Sequence, residues 1–187
     1  MSYGPPRPIR IASCAFHAVA LLALAVAPAT QAQVATATVI EYVNQGDFAR
    51  TPGGQFFYSA DLNEQQTVDV GNAGQFFRTG RTYAAGGASP VCRFYGSIAP
   101  GPNSHFFTVD TNECSGLKAA QIVPTPATVP QWNFEGNGFT TTATIRDATT
   151  GALSCPAGTT AVLRAYNNAF PGTGGKNPWD SNHRFSR

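Results

Sequence analysis

The sequence predicts a mainly β fold with one or two short helices, built from imperfect hairpin-helix-hairpin units. Three observations predict it. Aromatic strand patterns recur in one fixed order along the chain. Nineteen Gly and 14 Pro separate those patterns with turn signals. Thirteen Phe, 6 Tyr and 2 Trp are enough for a core, and disordered chains are poor in aromatics. A length of 187 residues suits one domain plus a processed segment.

The N-terminus follows the pattern of an export signal. Arg7 and Arg10 form a positive start, residues 15–27 are an apolar run, and Pro28 ends it. Thr30-Gln31-Ala32 puts small residues at the recognition positions, so cleavage is expected after Ala32, leaving a domain of residues 33–187. The apolar run is too short to cross about 30 Å of hydrocarbon comfortably, so no membrane span is expected after processing. Cys14 precedes the run, whereas a lipoprotein cysteine would sit at the cleavage site, and it is expected to leave with the signal. Without Arg7 and Arg10 the chain keeps ten basic and ten acidic residues. A neutral chain with no basic stripe has little affinity for phosphate backbones, so nucleic acid is not expected as a partner. A polybasic membrane-surface attachment is disfavoured on the same ground. The expected location is outside the cytoplasm: secreted, periplasmic or associated with the cell envelope.

The repeat begins with an aromatic strand, seen as Val39-Ile-Glu-Tyr-Val-Asn44, Val91-Cys-Arg-Phe-Tyr-Gly96 and Ala161-Val-Leu-Arg-Ala-Tyr-Asn167. After a variable loop comes a second strand: Gln55-Phe-Phe-Tyr-Ser59, Ser104-His-Phe-Phe-Thr108 and Asn182-His-Arg-Phe-Ser186. Phe57, Phe107 and Phe185 are expected at equivalent inward positions. Helical segments then start at Leu62 and Thr111, the second with Asp110 or Thr111 as N-cap and Glu113 in its first turn. A further hairpin is expected at Phe76–Tyr83 and Trp132–Phe139, with Gly80 and Gly136 where a tight turn or bulge needs positive φ. The units cover about 39–88, 89–158 and 159–187, the last cut short. A β-trefoil-like closure suits three units, with a small propeller-like or open β repeat as the alternative.

Cys92, Cys114 and Cys155 follow the signal. Cys92 and Cys114 fall inside one unit and are the expected disulfide in an oxidising compartment. Their loop of about 20 residues is worth about 3 kcal/mol in the chain-entropy view. Cys155 is then left over.

Tyr-x-Asn or Phe-Tyr-Gly, then His-Phe-Phe-Thr, then Trp-x-x-Glu-Gly-x-x-Phe resembles a bacterial repeat family of unknown function found in exported and cell-wall-associated proteins. Its units read RFYN, HFYT and WxYEGxxF, and the resemblance runs from about Val39 to Arg187. It implies a non-catalytic module for envelope or carbohydrate attachment. Gln55 departs from the pattern, standing where the first unit would carry histidine. The family's third unit would continue past the final strand and commonly ends near another cysteine, which the resemblance makes the partner of Cys155. A shortened third unit therefore implies a free thiol at Cys155 and an open β-edge, two routes to a dimer.

The chemistry-bearing residues are few. His105 and His183 hold the same unit position after an Asn/Ser loop. They are either polar-aromatic pockets beside Tyr95 and Tyr166, suited to a sugar or a peptide end, or braces for the hairpin loops. Tyr42, Tyr95, Trp132 and Tyr166 are candidates to stack on sugar rings. Two histidines in separate units, with no Cys-x-x-Cys, make a metal site unexpected, and no cofactor motif is present. Glu41, Glu113 and Glu135 are available as carboxylates, but the sequence places no two of them face to face. The leading expectation is an exported, non-catalytic binding or attachment module for a glycan or cell-wall polymer, with Tyr95, His105, Trp132, Tyr166 and His183 at its site. A structural or protein–protein interaction repeat is the alternative, and a secreted hydrolase the third reading.

Overall fold

A computed structural model describes residues 12–16, 37–45, 54–96, 104–124, 129, 131–166 and 182–187. In chain order the elements are β1 (Ala12–Phe16), β2 (Ala37–Asn44), β3 (Gln55–Ser59), α1 (Leu62–Asp69), β4 (Phe76–Ala85), β5 (Ser89–Gly96), β6 (His105–Thr108), α2 (Thr111–Ala120), β7 (Trp132–Thr141), β8 (Ile145–Arg146), β9 (Leu153–Ser154), β10 (Thr159–Tyr166) and β11 (His183–Ser186). The protein is thus mainly β with two short helices among the described residues. Three antiparallel sheets share one layout, with orders β3-β2-β4, β6-β5-β7 and β11-β10-β1, and β8 and β9 form a separate pair. The sheets are small and open, with no closed barrel among the described residues.

Aromatic and β-branched residues favour the central strands because such side chains pack well on a pleated, half-buried surface. The helices are set by their caps. Asp61 accepts from the Glu64 amide at 2.8 Å, and Asp110 accepts from the Asn112 and Glu113 amides at 2.9 Å each, so Asp110 is the N-cap of α2. The further hairpins expected at residues 76–83 and 132–139 do not form: each segment is one continuous strand of ten residues. A turn at the glycine would strip half of each strand from the central ladder, whereas a bulge keeps both halves paired. Gly80 (φ +83°) and Gly136 (φ +124°) sit at these bulges, where the pairing slips between Ile40 and Tyr42 and between Arg93 and Phe94.

The core gathers around Val39, Tyr42, Phe57, Tyr58, Val91 and Phe107. Phe57, Phe107 and Phe185 do occupy matching positions, opposite Tyr42, Arg93 and Arg164 of the central strands. Phe107 lies 6.4 Å from Phe57 and 5.8 Å from Phe185, ring centre to ring centre. A second cluster holds Phe94 and Phe106 around the Cys92–Cys114 disulfide, which ties β5 to α2.

Arginines then fasten the sheets together. Arg93 of β5 reaches Glu64 of α1 at 2.6 Å, and Arg164 of β10 grips Glu113 of α2 through both terminal nitrogens at 3.0 and 3.1 Å. Arg184 of β11 reaches the buried Glu41 of β2 at 3.0 Å, while the Tyr58 hydroxyl donates to the same carboxylate at 2.8 Å. Glu41 is buried at 1% exposure, and this pairing is what allows a carboxylate there. Burial pushes the Tyr58 hydroxyl well above the ordinary tyrosine range, so it stays a donor.

Two expectations for the third unit are corrected. Cys155 is disulfide-bonded, and no free cysteine occurs among the described residues. The edge of β10 expected to stand open carries β1, in register from Ala12 opposite Leu163 to Phe16 opposite Thr159. Unpaired edge amides readily take a partner strand. The partner here is a segment that the sequence reads as part of the export signal.

Candidate functional site

The five residues singled out from the sequence fall into two groups. Tyr95 and His105 face each other across the β5–β6 ladder, with ring centres 5.0 Å apart. Trp132, Tyr166 and His183 form the other: His183 stacks on Tyr166 at 4.4 Å and meets Trp132 edge-on at 5.6 Å. His183 is buried, Trp132 partly buried and Tyr166 exposed at 40%. The two histidine positions are linked through the residues that precede them, since the Ser104 hydroxyl donates to Asn182 Oδ1 at 3.4 Å. Tyr42 is fully buried and cannot stack on a ligand.

Of the first group, His105 lines a cavity of about 310 Å³. Phe57 and Phe76 supply apolar wall, α1 contributes Glu64, and Arg93, His105 and Glu135 supply polar atoms. The bulge in β7 explains how Glu135 comes to be there. Arg93 pairs with Gly136 and Phe94 with Phe134, so Glu135 is the extra residue, released from the ladder. It reaches Arg93 Nε at 3.0 Å. The Arg93 guanidinium also lies 5.4 Å over the Phe57 ring.

Electrostatics follow from burial. His105 is mostly enclosed, and burial together with Arg93 lowers its pKa to about 3, leaving the ring neutral at neutral pH. Its Nε2 is 3.6 Å from Glu135 Oε2, an ion pair only for a protonated ring, so we read it as a polar contact. His105 Nδ1 is buried without a hydrogen-bond partner. Burial raises the Glu135 carboxyl, Arg93 opposes that rise and Glu64 adds to it. Burial also raises the Tyr95 hydroxyl, with Glu135 adding to the effect.

Glu64, Arg93, Phe57 and Phe76 were not candidates in the sequence, and Glu135 was present without a placement. A signal for the charged pair exists: arginine stands at the matching position of two central strands, Arg93 in β5 and Arg164 in β10, and both helices begin Asp-x-x-Glu. Among the described residues no group of three or more His, Cys, Asp and Glu side chains is arranged to hold a metal. No helix among them is long and apolar enough to cross a membrane. Comparison of the chain with known protein families, curated proteins and solved structures finds no match.

Proposed function

We propose that the chain is an exported, non-catalytic binding module for a glycan or cell-wall polymer, with the cavity beside His105 as its principal site. The observation that carries this reading is a ring-sized cavity in which aromatic walls meet a polar rim, the usual composition of a small-ligand site. The exposed face of Tyr166, backed by His183 and Trp132, is a second stacking platform for a long polymer. The Cys92–Cys114 disulfide supports an oxidising compartment. The resemblance to an exported repeat family points the same way.

A hydrolase is the second reading, because Glu64 and Glu135 do converge in this cavity. Both, however, approach one guanidinium, at 2.6 and 3.0 Å. A glycosidase needs one carboxyl protonated to serve as acid; burial moves Glu135 in that direction and Arg93 opposes it.

The test is retention of the full chain on insoluble peptidoglycan, chitin and cellulose. Parallel samples carry His105→Ala/His183→Ala or, at the exposed platform, Tyr166→Ala, with folding checked by circular dichroism. Saturable retention weakened in folded variants is expected. Absence of retention on all three polymers would sink the reading in favour of an interaction repeat. Release of reducing sugar that stops in Glu135→Gln would establish the hydrolase.

A further inference from the structure

We propose that the cavity beside His105 takes an organic ammonium group, so that the polymer it recognises carries free amines. The inference narrows the reading above and rests on the same cavity. Two carboxylates, Glu64 and Glu135, face a single guanidinium, Arg93. The remaining nitrogen group, the His105 imidazole, is 3.6 Å from Glu135 and neutral. With both carboxyls ionised, the cluster carries one negative charge more than Arg93 balances, in a partly enclosed space whose burial raises the Glu135 carboxyl.

A half-buried carboxylate left in that state is costly, and a cation that reaches it removes the cost. The aromatic walls favour the same occupant, since the faces of Phe rings attract cations. Arg93 already covers Phe57, whereas no arginine or lysine among the described residues lies over Phe76. An ammonium placed between Glu135 and the Phe76 face would donate to the carboxylate and sit against the ring together. A sugar with a hydroxyl or an acetamide in place of the amine would leave the charge as it is. An anion would be repelled by the excess carboxylate.

The experiment is calorimetric titration of the full chain with two matched pairs at mildly acidic pH. One pair is 2-phenylethylammonium and 2-phenylethanol; the other is glucosamine oligomers and N-acetylglucosamine oligomers of equal length. Each ammonium compound is expected to bind about tenfold or more tightly than its neutral counterpart, as a charge-assisted hydrogen bond implies. Glu135→Gln balances the cluster and is expected to abolish that preference while leaving the thermal midpoint close to that of the parent. Equal affinities within both pairs, or a preference that survives in both Glu135→Gln and Glu64→Gln, would overturn the inference. Binding of phenylethylammonium without any oligomer would sustain the ammonium site and sink the polymer reading. Tighter binding of the N-acetylated oligomer would do the reverse. No binding by any of the four would overturn both.

Discussion

Arg93 is the hub on which the site and the joint between the first two sheets both depend, and Arg93→Met isolates its charge. Methionine keeps much of the apolar stem against Phe57 but removes the guanidinium from Glu64 and Glu135. Breaking a fully buried ion pair costs about 3–5 kcal/mol. Here the side chains are 18% exposed for Arg93, 28% for Glu64 and 32% for Glu135, so solvent screens part of that. A net loss of about 2 kcal/mol is expected for the two pairs, with about 0.5 kcal/mol more for the cation over Phe57. In a chain of this size that lowers the thermal midpoint by about 5–10 °C. The assay is a circular dichroism melt of the full chain at neutral pH, beside Arg93→Met/Glu135→Gln. The double variant no longer places two bare carboxylates together and should recover part of the loss, a coupling of about 1 kcal/mol. The gap between parent and Arg93→Met should also narrow at acidic pH, as the carboxyls protonate. A midpoint within about 1 °C of the parent at neutral pH, or a gap indifferent to pH, would refute the role given to Arg93.

Other outcomes follow from the same structure. His105 has a folded pKa of about 3 against an ordinary 6.5, so below 6.5 the unfolded chain takes up a proton that the folded one refuses. Its contribution is fully present above 6.5 and is lost as pH falls toward 3, at up to about 1.4 kcal/mol per pH unit. The raised carboxyl of Glu135 acts the other way over part of that range, because the folded chain protonates it first. Urea midpoints across that range should show a fall with pH that flattens in His105→Gln. Replacing both Cys92 and Cys114 by Ala frees a loop with a sequence separation of 22, and urea unfolding should register a loss of about 3 kcal/mol. Phe107→Ala empties the centre of the ring cluster and should cost about 3–5 kcal/mol by the same measurement. Removal of residues 1–32 takes β1 from Thr159–Leu163, so hydrogen exchange should show those amides exchanging faster than in the full chain.

Much of the architecture was legible because it is written in local patterns. The β class, the capping aspartate before α2, the Cys92–Cys114 pair and the inward row of Phe57, Phe107 and Phe185 all follow from residue type, alternation and spacing over a few positions. The glycines were read correctly as needing positive φ, but whether each made a turn or a bulge depended on the partner strand. Residues 76–83 and 132–139 therefore looked like hairpins when each is one strand. The histidine positions were visible in sequence, whereas their surroundings were not.

What the sequence by itself determined is the central strand and the second strand of each unit and the two helices, since backbone preference and side-chain period act within a few residues. Tertiary structure alone decided the site. Glu64 meets Arg93 across 29 residues, Glu41 meets Arg184 across 143, and Glu135 enters the cavity because a bulge frees it from its ladder. It also decided the fate of the β10 edge, which pairs with a segment near the opposite end of the chain. Such contacts depend on where whole sheets pack, and the burial that packing imposes is what makes His105 neutral and leaves a carboxylate in want of a cation.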